Sequence, residues 1–308
     1  MKKIYALFVL AFITFSCSES DDFSSGALSR QPIKTVTRLD PTKLAKVVFY
    51  PGNGSEKNYY FYPNGLVRKI TNGNGTLYQS FTYDAANNLI YTQRISNSAW
   101  VESYTYTFTY DANNHITAVN GLAVIYNATT NQYIFQYQPT TSDNPDCPTC
   151  YDYVDRTEIT LNNDLLITNE RTYYLSSDGN YSHGGMYAGY NNNSNMVFVS
   201  GWTDPSGPSY QYDNKINPLK AALLPLCRAM TVVRGMSYYE RFATGENTSA
   251  NNVIFNGYGD GDPESEEYII EYNSNELPVK TTRKSYYFQT LELTQVSALY
   301  YYQGDVIP

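Results

Sequence analysis

Long hydrophobic runs are nearly absent from this 308-residue sequence. The apolar run from Tyr5 to Ile13 covers about 14 Å as a helix, against roughly 30 Å of bilayer hydrocarbon, so no helical membrane span is expected. Basic residues are also few: 21 Lys and Arg face 29 Asp and Glu, a net charge of −8, with no dense cationic run. That balance excludes nucleic acid as a natural partner. Only two histidines occur, His115 and His183. A His-based metal centre would need both folded together beside carboxylates, and two ordinary turn or surface histidines are the plainer expectation. No G-x-S-x-G elbow marks a nucleophile. No cofactor is expected.

What is present begins with an export signal. Lys2 and Lys3 precede the apolar run, the layout of a signal peptide over residues 1–16. Cys17 follows the small Ser16. The stretch "TFSC" resembles the lipobox of bacterial lipoproteins, with Thr14 and Phe15 departing from the usual residues. "SESDD", directly after it, resembles the acidic export tag of surface lipoproteins in Bacteroidota. These resemblances imply lipid attachment at Cys17 and anchoring in the outer membrane, facing outward. Each buried acyl methylene would contribute about 0.8 kcal/mol. An ordinary secretory signal with an incidental Cys is the alternative. Residues 17–42, rich in Ser, Asp, Gly and Pro, read as a flexible tether. Loss of Lys2 and Lys3 with the signal takes the charge from −8 to −10.

Tyrosine dominates the composition, with 33 copies in the whole sequence, and the chain repeats itself. "FTYDAANNLI" from Phe81 returns as "FTYDANNHIT" from Phe108. In "YTYTFTYD", Tyr104, Tyr106, Phe108 and Tyr110 fall on one face of a strand, and Thr105, Thr107 and Thr109 on the other. Asp111 suits the first position of a turn, and Asn113 and Asn114 tolerate its unusual dihedrals. Each copy is thus a strand end, a turn and a strand start. "YFYPNGLVRKI", "TLNNDLLIT", "YNNNSNMVFV" and "EYNSNELPVK" follow the same order. Turns spaced roughly 10 to 16 residues apart, without long helices between, predict an antiparallel meander.

The "FTYD…N.L" units resemble YD repeats of Rhs-type shell proteins. The overall pattern is similar to a group of Bacteroidota lipoproteins of unknown function with a porin-like fold. The resemblance implies an all-β domain over residues 43–308, curling into an open or closed barrel-like shell. It implies no activity, and nothing corresponds to the toxin domain of Rhs proteins. One segment departs from the meander. Asn217 can cap a helix, Pro218 suits its first position, and Leu219, Leu223 and Leu226 recur near helical spacing. This predicts a short helical plug over 218–230, kinked or split at Pro225.

Other candidate sites have bland readings. "CPTC" lacks the strand-before, helix-after context of a redox motif, and a second Cys pair for zinc is missing. In an exported protein it predicts a local Cys147–Cys150 disulfide, leaving Cys227 as a buried thiol. Asp260, Asp262, Glu264 and Glu271 fit an EF-hand-like frame, but Pro263 intrudes and Ser265 replaces Gly. A solvated acidic turn is expected, with calcium binding open. The sequence therefore favours a non-catalytic binding or scaffold protein of the cell surface. Its partners would be the membrane, through the lipid, and an unidentified glycan or peptide. A surface hydrolase acting on glycan or peptide is the alternative.

Overall fold

The computed structural model describes residues 39–96, 103–136, 153–175, 181–200, 209–236, 248–257 and 264–308. The strands of the first part are β1 (Leu44–Phe49), β2 (Lys57–Phe61), β3 (Val67–Asn72), β4 (Leu77–Tyr83), β5 (Leu89–Arg94) and β6 (Tyr104–Tyr110). Then come β7 (Ile116–Val119), β8 (Leu122–Ala123), β9 (Ile125–Asn127), β10 (Gln132–Gln136), β11 (Tyr153–Leu161), β12 (Ile167–Leu175) and β13 (Tyr181–Tyr190). After β14 (Met196–Ser200) and β15 (Ser209–Ile216) lies the helix α1 (Pro218–Met236). β16 (Asn251–Gly257), β17 (Glu264–Tyr272), β18 (Pro278–Tyr287) and β19 (Thr290–Tyr302) complete the chain. Leu39–Pro308 forms one compact unit.

The repeated stretches are hairpin turns, built as their residues dictate. Asp84 Oδ1 accepts the Ala86 and Asn88 amides at 2.9 and 2.8 Å. Asp111 Oδ1 accepts those of Asn113 and His115 at 2.8 and 2.9 Å. Asn162, Asn191 and Asn273 do the same in later turns. The fourth residue of each turn adopts positive φ: Asn87 at 67°, Asn114 at 66°, and also Leu165, Ser194 and Glu276. This is the three-residue hairpin loop, a tight turn closed by one left-handed residue. Neighbouring copies are tied side by side. Asn64 Nδ2 donates to Asn87 Oδ1 at 3.0 Å, and Asn88 Nδ2 to Asn114 Oδ1 at 2.8 Å. At two of these turns the tyrosine hydroxyl bonds backbone on a neighbouring hairpin, which phenylalanine could not do. Tyr62 reaches Phe81 O at 3.1 Å and Tyr110 reaches Leu89 O at 2.7 Å.

Every strand pairing is antiparallel. Consecutive strands pair from β1 to β8 and from β9 to β19, and β19 returns to β1 with Val47 opposite Tyr300. The two edges of the sheet are therefore β8 and β9, which Val124 joins in the chain without a ladder between them. The meander curls but does not close into a barrel. β6 shows the expected sidedness: Phe108 is buried, Tyr104, Tyr106 and Tyr110 pack on the core, and Thr105, Thr107 and Thr109 are exposed.

The helix fills the inside of this curl. Asn217 Oδ1 caps it by accepting the Leu219 amide at 3.0 Å. Ala229, Met230, Thr231, Val232 and Val233 are all at most 4% exposed. Five successive residues sweep more than a full turn, so protein surrounds this part of the helix on every side, whereas Ala221 near its start is exposed. Its Leu223, Leu226 and Met230 share one core with Ile70, Phe81, Leu89, Ile116, Ile159 and Leu166 from the strands. The helix runs six residues beyond the expected end, and Pro225 lies within it without splitting it. An interior proline costs about 3 kcal/mol, which burial of the Leu226-to-Val233 segment offsets. The β11–β12 turn latches the outer side. Asp164 receives Lys220 Nζ on its carboxylate at 3.0 Å, and Arg228 Nε on its carbonyl at 2.6 Å.

Candidate functional site

Beside the start of α1, the interior is not filled. A chamber of about 140 Å³ lies between the helix N-terminus and strands β1 and β16–β19. Its walls are Phe49, Tyr50, Leu219, Val253, Tyr268, Ile270, Ala298 and Tyr300, with Asn217, Asn252, Thr281 and Ser297 as the polar members. Alternation along β17 explains two of them. Tyr268 and Ile270 face inward, whereas Ile269 is exposed and Glu271 pairs outside with Lys280 at 2.7 Å.

Tyr50 ends β1 in a left-handed conformation, with φ of 51°. Only glycine and asparagine visit that region cheaply, and a bulky residue there costs on the order of 1–2 kcal/mol. Its amide donates to Ser297 O at 2.9 Å. The strained backbone places an aromatic ring on the chamber wall.

The polar walls divide into spent and unspent groups. Asn217 is committed to the helix cap and to Ser249 O, which its Nδ2 reaches at 3.1 Å. Asn252 Nδ2 donates to Asp213 Oδ2 at 3.2 Å, and Tyr272 gives its hydroxyl proton to the same carboxylate oxygen. Burial, then the Asp213 carboxylate, holds the Tyr272 phenol above its ordinary range. Asp213 also accepts the Lys215 amide at 3.0 Å. By contrast, Asn252 Oδ1 and Thr281 Oγ1 make no hydrogen bond to protein, although the two residues are only 8% and 7% exposed. At the border, Arg283 Nη1 pairs with Glu266 Oε1 at 2.7 Å, and its guanidinium carbon lies 5.4 Å from the Tyr50 ring centroid. Tyr268 donates its hydroxyl to Glu266 Oε2 at 2.5 Å. Arg283 Nε is buried without a partner.

The chamber thus combines aromatic faces with two unspent side-chain oxygens, and no charged residue lines it. That chemistry suits reversible binding of an uncharged ligand. A wider groove of about 600 Å³ passes Asn191, Asn195, Tyr210 and Asn251. Two of its amide residues are spent on one another: Asn195 Nδ2 donates to Asn251 Oδ1, and the Asn251 backbone amide to Asn195 Oδ1, both at 2.9 Å.

The residues singled out in the sequence lie elsewhere. Cys17, Cys147, Cys150, Asp260 and Asp262 fall outside the described residues. Glu264 and Glu271 lie on one extended strand, which separates them by about 23 Å, so the EF-hand-like frame cannot close on one ion. His115 stacks on Tyr126 at 3.7 Å, with Nδ1 3.2 Å from Asp111 Oδ2. His183 sits on β13 opposite Tyr173. Among the described residues, no group of three His, Cys, Asp or Glu could hold a metal. Cys227 is buried in the core, and burial pushes its thiol up to about 12. No sequence motif flagged the chamber, because its lining gathers from widely separated segments. The odd aromatic before a turn, Tyr50 in "VVFYPGNG", is the one signal that could have marked it.

No family model and no curated protein matches this chain. Solved structures with a similar course include a porin-like protein from Bacteroides uniformis ATCC 8492. It is 10% identical, over 86% of this chain and 99% of that one, with a TM-score of 0.34. A porin-like protein from Bacteroides vulgatus ATCC 8482 is 12% identical over 85% and 99%, with a TM-score of 0.30. A TcdB2-TccC3-TEV structure is 11% identical over 81% of this chain and 14% of that one, with a TM-score of 0.23. These loose overlaps do not bear on the chemistry of the chamber.

Proposed function

We propose that this chain is a lipoprotein anchored at Cys17 in the outer membrane, holding a water-facing β shell outside the cell. It acts there by binding or scaffolding. The observation that carries this reading is the polarity of the shell. The inside holds an apolar core and the buried segment Ala229–Val233 of the helix, while Thr105, Thr107 and Thr109 and the Glu271–Lys280 pair face outward. A membrane-spanning barrel has the reverse arrangement, with a lipid-facing apolar band and a polar lumen. Anchorage therefore falls to the lipid, as the resemblance of "TFSC" to a lipobox supports. The YD-like turns supply a scaffold on this reading. The hydrolase alternative gains no support from the chamber, whose lining carries no carboxylate; nearby, Glu266 is ion-paired and Asp213 is held by Tyr272 and Asn252.

Fractionation of cells carrying the native chain or Cys17→Ala tests the reading, alongside conductance across planar bilayers. The native protein should partition with outer membranes, the variant should leave them, and neither should conduct ions. Equal membrane retention of the variant, or stepwise conductance, would contradict it.

A further inference from the structure

We infer that the chamber between α1 and strands β1 and β16–β19 binds a single neutral sugar ring. This rests on the binding reading above and names its ligand class. At about 140 Å³ the space is below the range of roughly 300–1,000 Å³ that holds drug-sized ligands, so it takes about one ring, and its open side leaves any linked sugar outside. Its walls combine the aromatic faces of Phe49, Tyr50, Tyr268 and Tyr300 with uncharged hydrogen-bonding groups. A pyranose has the matching surfaces: apolar C–H faces for the rings, and hydroxyl edges that donate and accept.

Two residues more than nine-tenths buried present unspent oxygens there, Asn252 Oδ1 and Thr281 Oγ1. Both oxygens open onto the chamber, and a ligand hydroxyl there makes a direct hydrogen bond, a net gain of about 0.5–1.5 kcal/mol each. Arg283 lies outside the lining, and its Nε is itself buried. The guanidinium charge is already matched by Glu266, so an anionic ligand gains little. The left-handed backbone at Tyr50 sets its ring in this wall.

The test is calorimetry and saturation-transfer NMR on the mature protein, with methyl glycosides of neutral hexoses and N-acetylhexosamines. Glucuronate and glucosamine serve as charged controls. Two variants probe the walls. Thr281→Val removes one oxygen at nearly constant volume, and Tyr50→Asn removes the ring while keeping a residue that accepts positive φ. At least one neutral glycoside should bind saturably, with charged sugars at least tenfold weaker. Each variant should weaken binding about tenfold, or 1.4 kcal/mol, with unchanged near-ultraviolet circular dichroism. Absence of saturable binding up to ~50 mM, far above the ~1 mM that corresponds to about −4 kcal/mol, would overturn the ligand class. Binding indifferent to both variants would also overturn it. Neither of those results touches anchorage or the non-conducting shell. Cleavage of a bound glycoside would instead sink the non-catalytic reading while leaving the ligand class standing.

Discussion

Alkali should unfold this protein over a narrow pH range, because its core is built on tyrosine. Burial raises the phenols of Tyr59, Tyr83, Tyr110, Tyr133, Tyr190 and Tyr302 above the ordinary range, Tyr59 and Tyr133 to about 12. The folded state holds these protons more tightly than the unfolded chain, whose tyrosines titrate near 10. Above that pH the unfolded chain binds fewer protons, so stability falls as pH rises. Between pH 10 and 11 each retained proton costs about 1 kcal/mol, so six cost about 6 kcal/mol, comparable to the whole stability of a typical domain. Tyrosinate absorbance and far-ultraviolet circular dichroism, followed together, should show a cooperative step near pH 11, with the buried phenols ionising only as the strands melt. Tyr83→Phe should raise that midpoint. It should also add about 1 kcal/mol at neutral pH, because the Tyr83 hydroxyl is buried without a partner. Six phenols titrating smoothly near pH 10 with the strand signal intact would refute the reasoning.

Four further outcomes follow from the packing and the turns. Leu226→Ala should cost about 2–5 kcal/mol in urea unfolding, since the side chain is 1% exposed in the shared core. Gly75→Ala should cost about 1–2 kcal/mol through backbone strain alone, because φ is 83° and no atom lies within 4 Å of the added methyl. Ser194→Gly, at the equivalent turn position, should instead gain about 0.5 kcal/mol, read as a higher thermal midpoint. Arg228→Ala should cost about 1–3 kcal/mol by leaving the Asp164 carbonyl unmatched.

The hairpins were legible because their information is local. Asp84 and Asp111 announce turns through residues two to four positions away, and β6 alternates aromatic with Thr over its whole length. The start of α1 was legible for the same reason, in Asn217 and Pro218. Its end was not: Pro225 reads as a breaker in isolation, and only burial against the surrounding strands carries the helix through to Met236. The chamber was illegible throughout. Tyr50, Asn252 and Thr281 are far apart in sequence and meet only because β19 pairs back onto β1. At the left-handed turn positions, Leu165 and Glu276 stand where local chemistry would ask for Gly or Asn, and nothing nearby in the sequence signals their dihedrals.

The central claim is that this shell is turned to water with its apolar side inward. Purifying the Cys17→Ala chain without detergent tests it most directly, with sedimentation and near-ultraviolet circular dichroism as readouts. A soluble monomer with an ordered tyrosine signal is the expected result. A chain that aggregates in water and acquires its strand signal only on addition of detergent micelles would contradict it.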